Sequence, residues 1–197
     1  MKSVDKHFAR RALEVLAVIL VIVVADQASK LWAVETLKGE PMTSYLGDVF
    51  RIVYAENTGG FLSLGSTLPA AARFWLLTVI NGVVLTIGLT YVMAWRNLGP
   101  VIWWGVTLLV AGGMGNLIDR VRLEGSVIDF LNMGIGNLRT GIFNIADIAI
   151  SVGVLLFFMS SFAVEKKTES GDSKTREKSD SHPSDTISQG MVGSAAQ

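Results

Sequence analysis

The sequence predicts an all-α membrane protein, with four transmembrane helices and a small β-containing extracytoplasmic subdomain. Three observations predict it. Half of the 197 residues are of hydrophobic type, and Leu, Ile and Val come in runs rather than in alternating pairs, a membrane composition. Four of these runs reach the roughly 20 apolar residues that a bilayer core requires. The charges, 17 basic against 17 acidic, gather at the termini and between the runs.

The elements follow in order. A basic segment, residues 1–11, carries Lys2, Lys6, Arg10 and Arg11. The first span covers about 12–34. A cleaved signal peptide is the alternative for this stretch, but the apolar character resumes after Asp26 and no small-x-small cleavage site follows. The next segment, 36–69, contains "DVFRIVYAEN", β-branched and aromatic enough for a short strand or two. The second span covers about 71–95. The third covers about 100–118, with Pro100 suited to a first helical turn and Gly112, Gly113 and Gly115 open to close approach by a neighbouring helix. Residues 123–143 hold "SVIDF" and "GIF" around a Gly- and Asn-containing turn, the pattern of a small hairpin. The fourth span covers 145–164. Residues 165–197 are polar and Ser-rich, and are expected to be a disordered tail. The chain thus divides into a basic N-terminus (1–11), a four-span membrane domain (12–164) and the tail (165–197).

Orientation follows from the basic residues. With both termini cytoplasmic, ten Lys and Arg lie inside and seven outside. The cluster before the first span and the Lys166–Lys167 pair after the fourth abut span ends and set the direction. On that orientation the two non-helical segments lie outside.

Composition also excludes chemistry. There is no cysteine, and the two histidines, His7 and His182, lie near opposite ends of the chain. Thiolate catalysis, a His-containing triad and a His-rich zinc site are therefore not expected, and no metal or other cofactor is. No basic, aromatic-studded surface points to a nucleic acid.

The informative residues are polar groups at the ends of apolar runs. "DQASK" sets Asp26 and Lys30 at i, i+4, either as a pair that snorkels to the interface or as a site facing the bundle interior. "GGMGNLIDR" places Asn116, Asp119 and Arg120 within one turn, where an Asp119–Arg120 pair at a polar helix end is the simple reading. "ENTGGF" around Asn57 reads alone as a turn. Asp129 in "VIDF" and Asp147 in "FNIAD" are embedded in apolar sequence with no basic neighbour, and Asn144 precedes Asp147 by one helical turn. With Cys and His removed, a carboxylate pair is what remains for hydrolysis. Two crowded carboxylates cannot both ionise easily, so one keeps a proton while the other accepts one from water.

Five blocks in this order, "DQASK", "NTGGF", "GGMGNLIDR", "VIDF" and "FNIAD", resemble the bacterial lipoprotein signal peptidases (signal peptidase II) over roughly residues 12–164. The resemblance implies a membrane aspartic endopeptidase that cleaves diacylglyceryl-modified prolipoproteins just before the lipidated cysteine, without a metal, and that is inhibited by the cyclic peptide globomycin. It implies Asp129 and Asp147 as the catalytic dyad. It also implicates Asp26, Asn57, Asn116, Arg120 and Asn144 in support or substrate binding, and Lys30 joins them through its spacing from Asp26. One block departs from the family form. Many relatives read N-x-G-A-A-F, whereas Phe61 here follows Asn57 one position early.

Two other classes compete. A transporter or channel would use intramembrane charges as an ion path, but no second cluster completes a path to the other face. A membrane scaffold leaves the charges without a purpose. A presenilin-like protease is disfavoured because no GxGD block occurs.

Overall fold

In the computed structural model, residues 2–60, 65–95 and 98–160 are described, with side chains from residue 8 onward. Helix α1 spans Lys2–Leu37, starting ten residues before the expected span because the basic segment continues the same helix. Helix α2 spans Ala70–Ala94. Its second turn widens into π-helical geometry over Phe74–Ile80, a form often found where a helix borders a functional site. Helix α3 spans Pro100–Arg122 with Pro100 in its first turn. It runs past the expected end at residue 118 and so carries Asp119 and Arg120 on helical backbone. Helix α4 spans Ile145–Ser160. The rest of the expected fourth span and the tail lie outside the described residues.

Between the helices, β1 (Thr43–Tyr45), β2 (Phe50–Asn57), β3 (Val127–Ile135) and β4 (Leu138–Arg139) form one antiparallel sheet in the order β1-β2-β3-β4. Both non-helical segments thus supply strands, and the expected hairpin of residues 123–143 is β3–β4. The longest pairing, β2 with β3, joins segments over seventy residues apart in sequence, in a register that sets Asn57 opposite Val127 and Ala55 opposite Asp129. Strand β3 is buried on both faces from Val127 to Phe130. One face packs on α1, where Phe130 meets Trp32 edge to face at 6.1 Å, and Asp129 is buried within the same stretch at 1% exposure.

The interior is inverted relative to a soluble domain. The largest fully buried side chains include Lys30, Asn144, Asp26, Asp119 and Asp129, while Leu13, Leu16, Leu20, Val83, Val84 and Ile87 are exposed. Helices α2 and α3 are long and apolar enough to cross a membrane, and most of α2 is exposed. So much apolar surface belongs against lipid rather than water. An apolar cluster of Val15, Ile19, Val92, Val106, Val110 and Ala111 ties α1, α2 and α3 together at the end away from the sheet.

Glycine lets the helices close on the polar interior. A Cβ on Gly115 of α3 would sit 2.6 Å from Asp26 Oδ2 of α1. One on Gly112 would collide with the Ala146 carbonyl of α4. Without these two hydrogens-for-methyl positions, α1 and α4 could not both reach α3 at the depth of the buried charges.

Candidate active site

The site is built on the N-terminus of α4. Asn144 caps the helix: its Oδ1 accepts the Asp147 backbone N–H at 2.9 Å, while the Asp147 carboxylate accepts the Asn144 backbone N–H at 3.2 Å. This is the reciprocal capping arrangement with Asp in the usual Glu position. A further orphan donor, the Ala146 N–H, goes to Asp26 Oδ1 at 2.9 Å, so α1 helps close the same helix end.

Asn144 also joins the two lone carboxylates. Its Nδ2 donates to Asp129 Oδ1 at 2.7 Å, and its backbone N–H serves Asp147. The other Asp129 oxygen accepts from Asn57 Nδ2 at 2.9 Å. Asn57 reaches it because β2–β3 register makes the two residues diagonal neighbours on one sheet face. The remaining Asp147 oxygen accepts from Asn116 Nδ2 at 2.9 Å.

A second cluster backs this one. Lys30 Nζ, 2% exposed, lies 2.8 Å from Asp26 Oδ2, 2.9 Å from Asp119 Oδ2 and 3.0 Å from Asn116 Oδ1. Three acceptors use the three hydrogens of an ammonium. The Asp26–Lys30 pair therefore faces the interior rather than snorkelling. The simple Asp119–Arg120 reading fails too: Asp119 pairs with Lys30, and its Oδ2 also accepts the Ile128 N–H of β3 at 3.1 Å.

The amide orientations are dictated by partners that can only donate. Lys30 forces Asn116 Oδ1 toward itself, so Asn116 Nδ2 must face Asp147. The Asp147 N–H fixes Asn144 Oδ1, so Asn144 Nδ2 must face Asp129. The Gly59 N–H, at 2.9 Å, fixes Asn57 Oδ1 in the same way. A buried ammonium on α1 thus sets the polarity of a hydrogen-bond chain that ends on both carboxylates.

Asp129 lies on the sheet, outside the helices. Burial, and secondarily the neighbouring Asp147 charge, push its carboxyl up to about 7, against the hydrogen bonds from Asn57 and Asn144. Arg120, 8% exposed, donates from Nη2 to the Gly59 carbonyl at 3.2 Å, and its Nε has no partner among the described residues. Asp129, Asp147, Asn57, Asn116 and Arg120 line one cavity of about 350 Å³ together with Leu76, Leu77 and Ile80 from the π-helical part of α2 and Asn81 directly after it. It is an apolar cleft with a few converging polar groups, the usual form of a binding site.

All eight residues singled out in the sequence therefore sit in one connected network. Sequence reading missed three more. Gln27 donates to Asp119 Oδ1 at 2.9 Å and to the Gly115 carbonyl at 3.2 Å, and accepts from Arg122 at 3.1 Å. Asp119 stood in the quoted block but not among the expected site residues. Asn81 is an amide inside an apolar span, a signal that was present and passed over.

Comparison with known proteins points one way. The family model for signal peptidase (SPase) II matches residues 18–163. The chain is 33% identical over 156 residues to a lipoprotein signal peptidase of Lactococcus lactis subsp. cremoris (strain SK11), covering 78% of this chain and 96% of that protein. It is 31% identical over 158 residues to one of Borrelia duttonii (strain Ly), covering 78% and 92%. Two solved structures described as a bacterial membrane enzyme determined by the in meso method are similar in fold. One gives a TM-score of 0.63 at 24% identity, covering 76% of this chain and 88% of that one. The other gives 0.61 at 25% identity, covering 75% and 91%.

Proposed function

This chain belongs to the signal peptidase II family, and on that premise we propose that it is a four-span inner-membrane aspartic endopeptidase acting on diacylglyceryl-modified prolipoproteins, with Asp129 and Asp147 as its dyad. It removes signal peptides from prolipoproteins as a membrane peptidase. The observation that carries the finer reading is the sharing of Asn144 by two buried carboxylates that line one cavity.

Asp147 is the ionised member. It occupies the first turn of α4, at the positive end of the helix dipole, and it is linked through Asn116 to the Lys30 ammonium. Asp129 sits on the sheet, away from the helix end, with the neutral amides of Asn57 and Asn144 as its hydrogen-bond donors among the described residues, and it holds the proton. In the reaction, Asp147 takes a proton from water as the water oxygen attacks the scissile carbonyl carbon. Asp129 gives its proton to the carbonyl oxygen. The tetrahedral intermediate then collapses: the C–N bond breaks, the leaving nitrogen receives the proton from Asp147, and Asp129 recovers its own from the hydroxyl. Arg120, which lines the cavity, holds a substrate backbone carbonyl.

The substrate suits this position. Two acyl chains partition into lipid at roughly 0.8 kcal/mol per CH₂, which holds the scissile bond near the outer headgroup level. A dyad at the sheet end of the helices meets it there without drawing free backbone to the bilayer centre. Both termini then face the cytoplasm, and a globomycin-like cyclic peptide competes for the cavity.

The test is cleavage by the purified full chain of a diacylglyceryl-modified prolipoprotein and of the same precursor without the lipid. Cleavage of the first alone, just before the modified cysteine, supports the reading. Equal cleavage of both removes the lipid from substrate recognition.

A further inference from the structure

The cavity that holds the dyad has an amide on its α2 wall that the mechanism above does not use. Helix α2 contributes Leu76, Leu77, Ile80, Asn81 and Val84 to the lining. Among these five Asn81 alone is polar, and it is only partly buried. A polar side chain within a membrane-spanning apolar run is costly, and such residues mark functional sites. The π-helical stretch Phe74–Ile80 ends directly before it. At α-helical pitch Leu76 and Asn81 would stand about 140° apart around the helix. The wider turn narrows that angle and gathers both on the cavity.

The depth of Asn81 follows from the packing of α2 on α3. A Cβ on Gly82 would meet Leu117, one on Gly113 would meet Leu85, and one on Gly88 would meet Val110. Position 82 is therefore level with 117, 85 with 113 and 88 with 110, which sets Asn81 beside the level of Leu117. The next residue on α3, Asn116, donates to Asp147 Oδ1 at 2.9 Å. Asn81 and Asp147 thus border the same cavity at nearly the same depth, from different helices. Val84, Gly113 and Ile150 continue the lining about one turn deeper, away from the sheet.

We propose that Asn81 is a substrate-binding residue that holds the peptide backbone beside the scissile bond. The inference rests on the peptidase reading above. In an extended chain each residue turns its N–H and C=O to one edge and the next residue turns its own to the other. A peptide whose scissile carbonyl faces the dyad presents both backbone groups of the preceding residue to the opposite wall. A carboxamide has one donor group and one acceptor, the complement of that pair. The apolar lining below then receives the signal segment, which arrives from the membrane. Asn81 reads backbone rather than side chain, and so serves precursors of differing sequence.

The test uses the purified full chain in detergent and a synthetic diacylglyceryl-modified peptide spanning the cleavage site. A second peptide replaces the N–H of the residue preceding the scissile carbonyl's own by an ester oxygen. The parent should lose about tenfold in kcat/KM on the ester peptide, the scale of one hydrogen bond. Asn81→Leu and Asn81→Ala should each lose about tenfold or more on the all-amide peptide, with melting temperatures close to the parent's. Neither variant should distinguish the ester from the amide. Parental kcat/KM in either variant, or an equal ester effect in parent and variants, would overturn the proposal while parent cleavage left the peptidase reading standing. No cleavage of lipidated peptide by the parent would overturn both.

Discussion

Asn144 and Asp147 hold each other's backbone: each side chain accepts the other's N–H, at 2.9 and 3.2 Å, while the Asn144 amide reaches on to Asp129 at 2.7 Å. On the proposed mechanism, capping and catalysis share one side chain and can be separated by substitution. Asn144→Ala should lose the cap, about 1 kcal/mol of stability, and most of the activity. Asn144→Ser should restore the cap and the melting temperature but leave activity down by about 10²-fold, because the shorter side chain that caps the Asp147 N–H does not extend to Asp129 as the amide does. Thermal unfolding beside a gel-shift cleavage assay distinguishes the two effects.

Lys30 is the only cation bonded to Asp26 and Asp119 among the described residues. Replacing it with Met leaves two buried carboxylates uncompensated and should cost about 3–5 kcal/mol. Adding Asp119→Asn to Lys30→Met should recover part of that loss. The sign of the coupling in a double-mutant cycle measured by denaturant unfolding is the check. Additive losses would show that the two side chains do not act on each other.

How much of this was legible in the sequence depends on the distance over which each signal acts. Asp129 and Asp147 stood out because a carboxylate among apolar residues is conspicuous in any register. Asp26 with Lys30 was visible at i, i+4, but the third partner, Asp119, was not. Helix spacing reports neighbours within one helix, and so it offered Arg120 instead. Gln27 was equally hidden, since its partners Gly115 and Asp119 lie on α3, 88 and 92 residues on. The strands were visible as β-rich stretches, but the β2–β3 pairing that brings Asn57 to Asp129 depends on register between distant segments. The π-helical stretch of α2 left no composition signal.

The pH profile follows from Asp129. Burial pushes its carboxyl up to about 7, so the acid form that the proposed mechanism uses for proton donation is lost as pH rises through that value. The alkaline limb of kcat/KM should fall near pH 7 and belong to the dyad as a unit. Asn57→Ala removes a hydrogen bond that favours the charged form, and should move this limb to higher pH. Stability carries the same sign. The folded state holds this proton more tightly than the unfolded state, so the stability from this group is full below about 3.8 and is lost as pH rises from there through about 7. A limb unmoved by Asn57→Ala would detach it from Asp129.

Gly115 tests the packing beneath the charges. An Ala there places its Cβ 2.6 Å from Asp26 Oδ2, so α1 and α3 must part. Gly82→Ala in α2 is the control, because its Cβ would meet Leu117 at an ordinary 3.7 Å. Gly115→Ala should lower the melting temperature by several degrees and reduce cleavage, whereas Gly82→Ala should be neutral or slightly stabilising. Thermal unfolding of both variants in the same detergent makes the comparison.

The central claim is that Asp129 and Asp147 act as one catalytic unit. Purified Asp129→Asn, Asp147→Asn and the double variant, each shown folded by thermal unfolding, should be measured for turnover of a lipidated prolipoprotein. The account predicts that each single change abolishes cleavage, a loss of at least roughly 10³-fold, with the double variant no worse than either. Near-parental turnover in either well-folded single variant would contradict it.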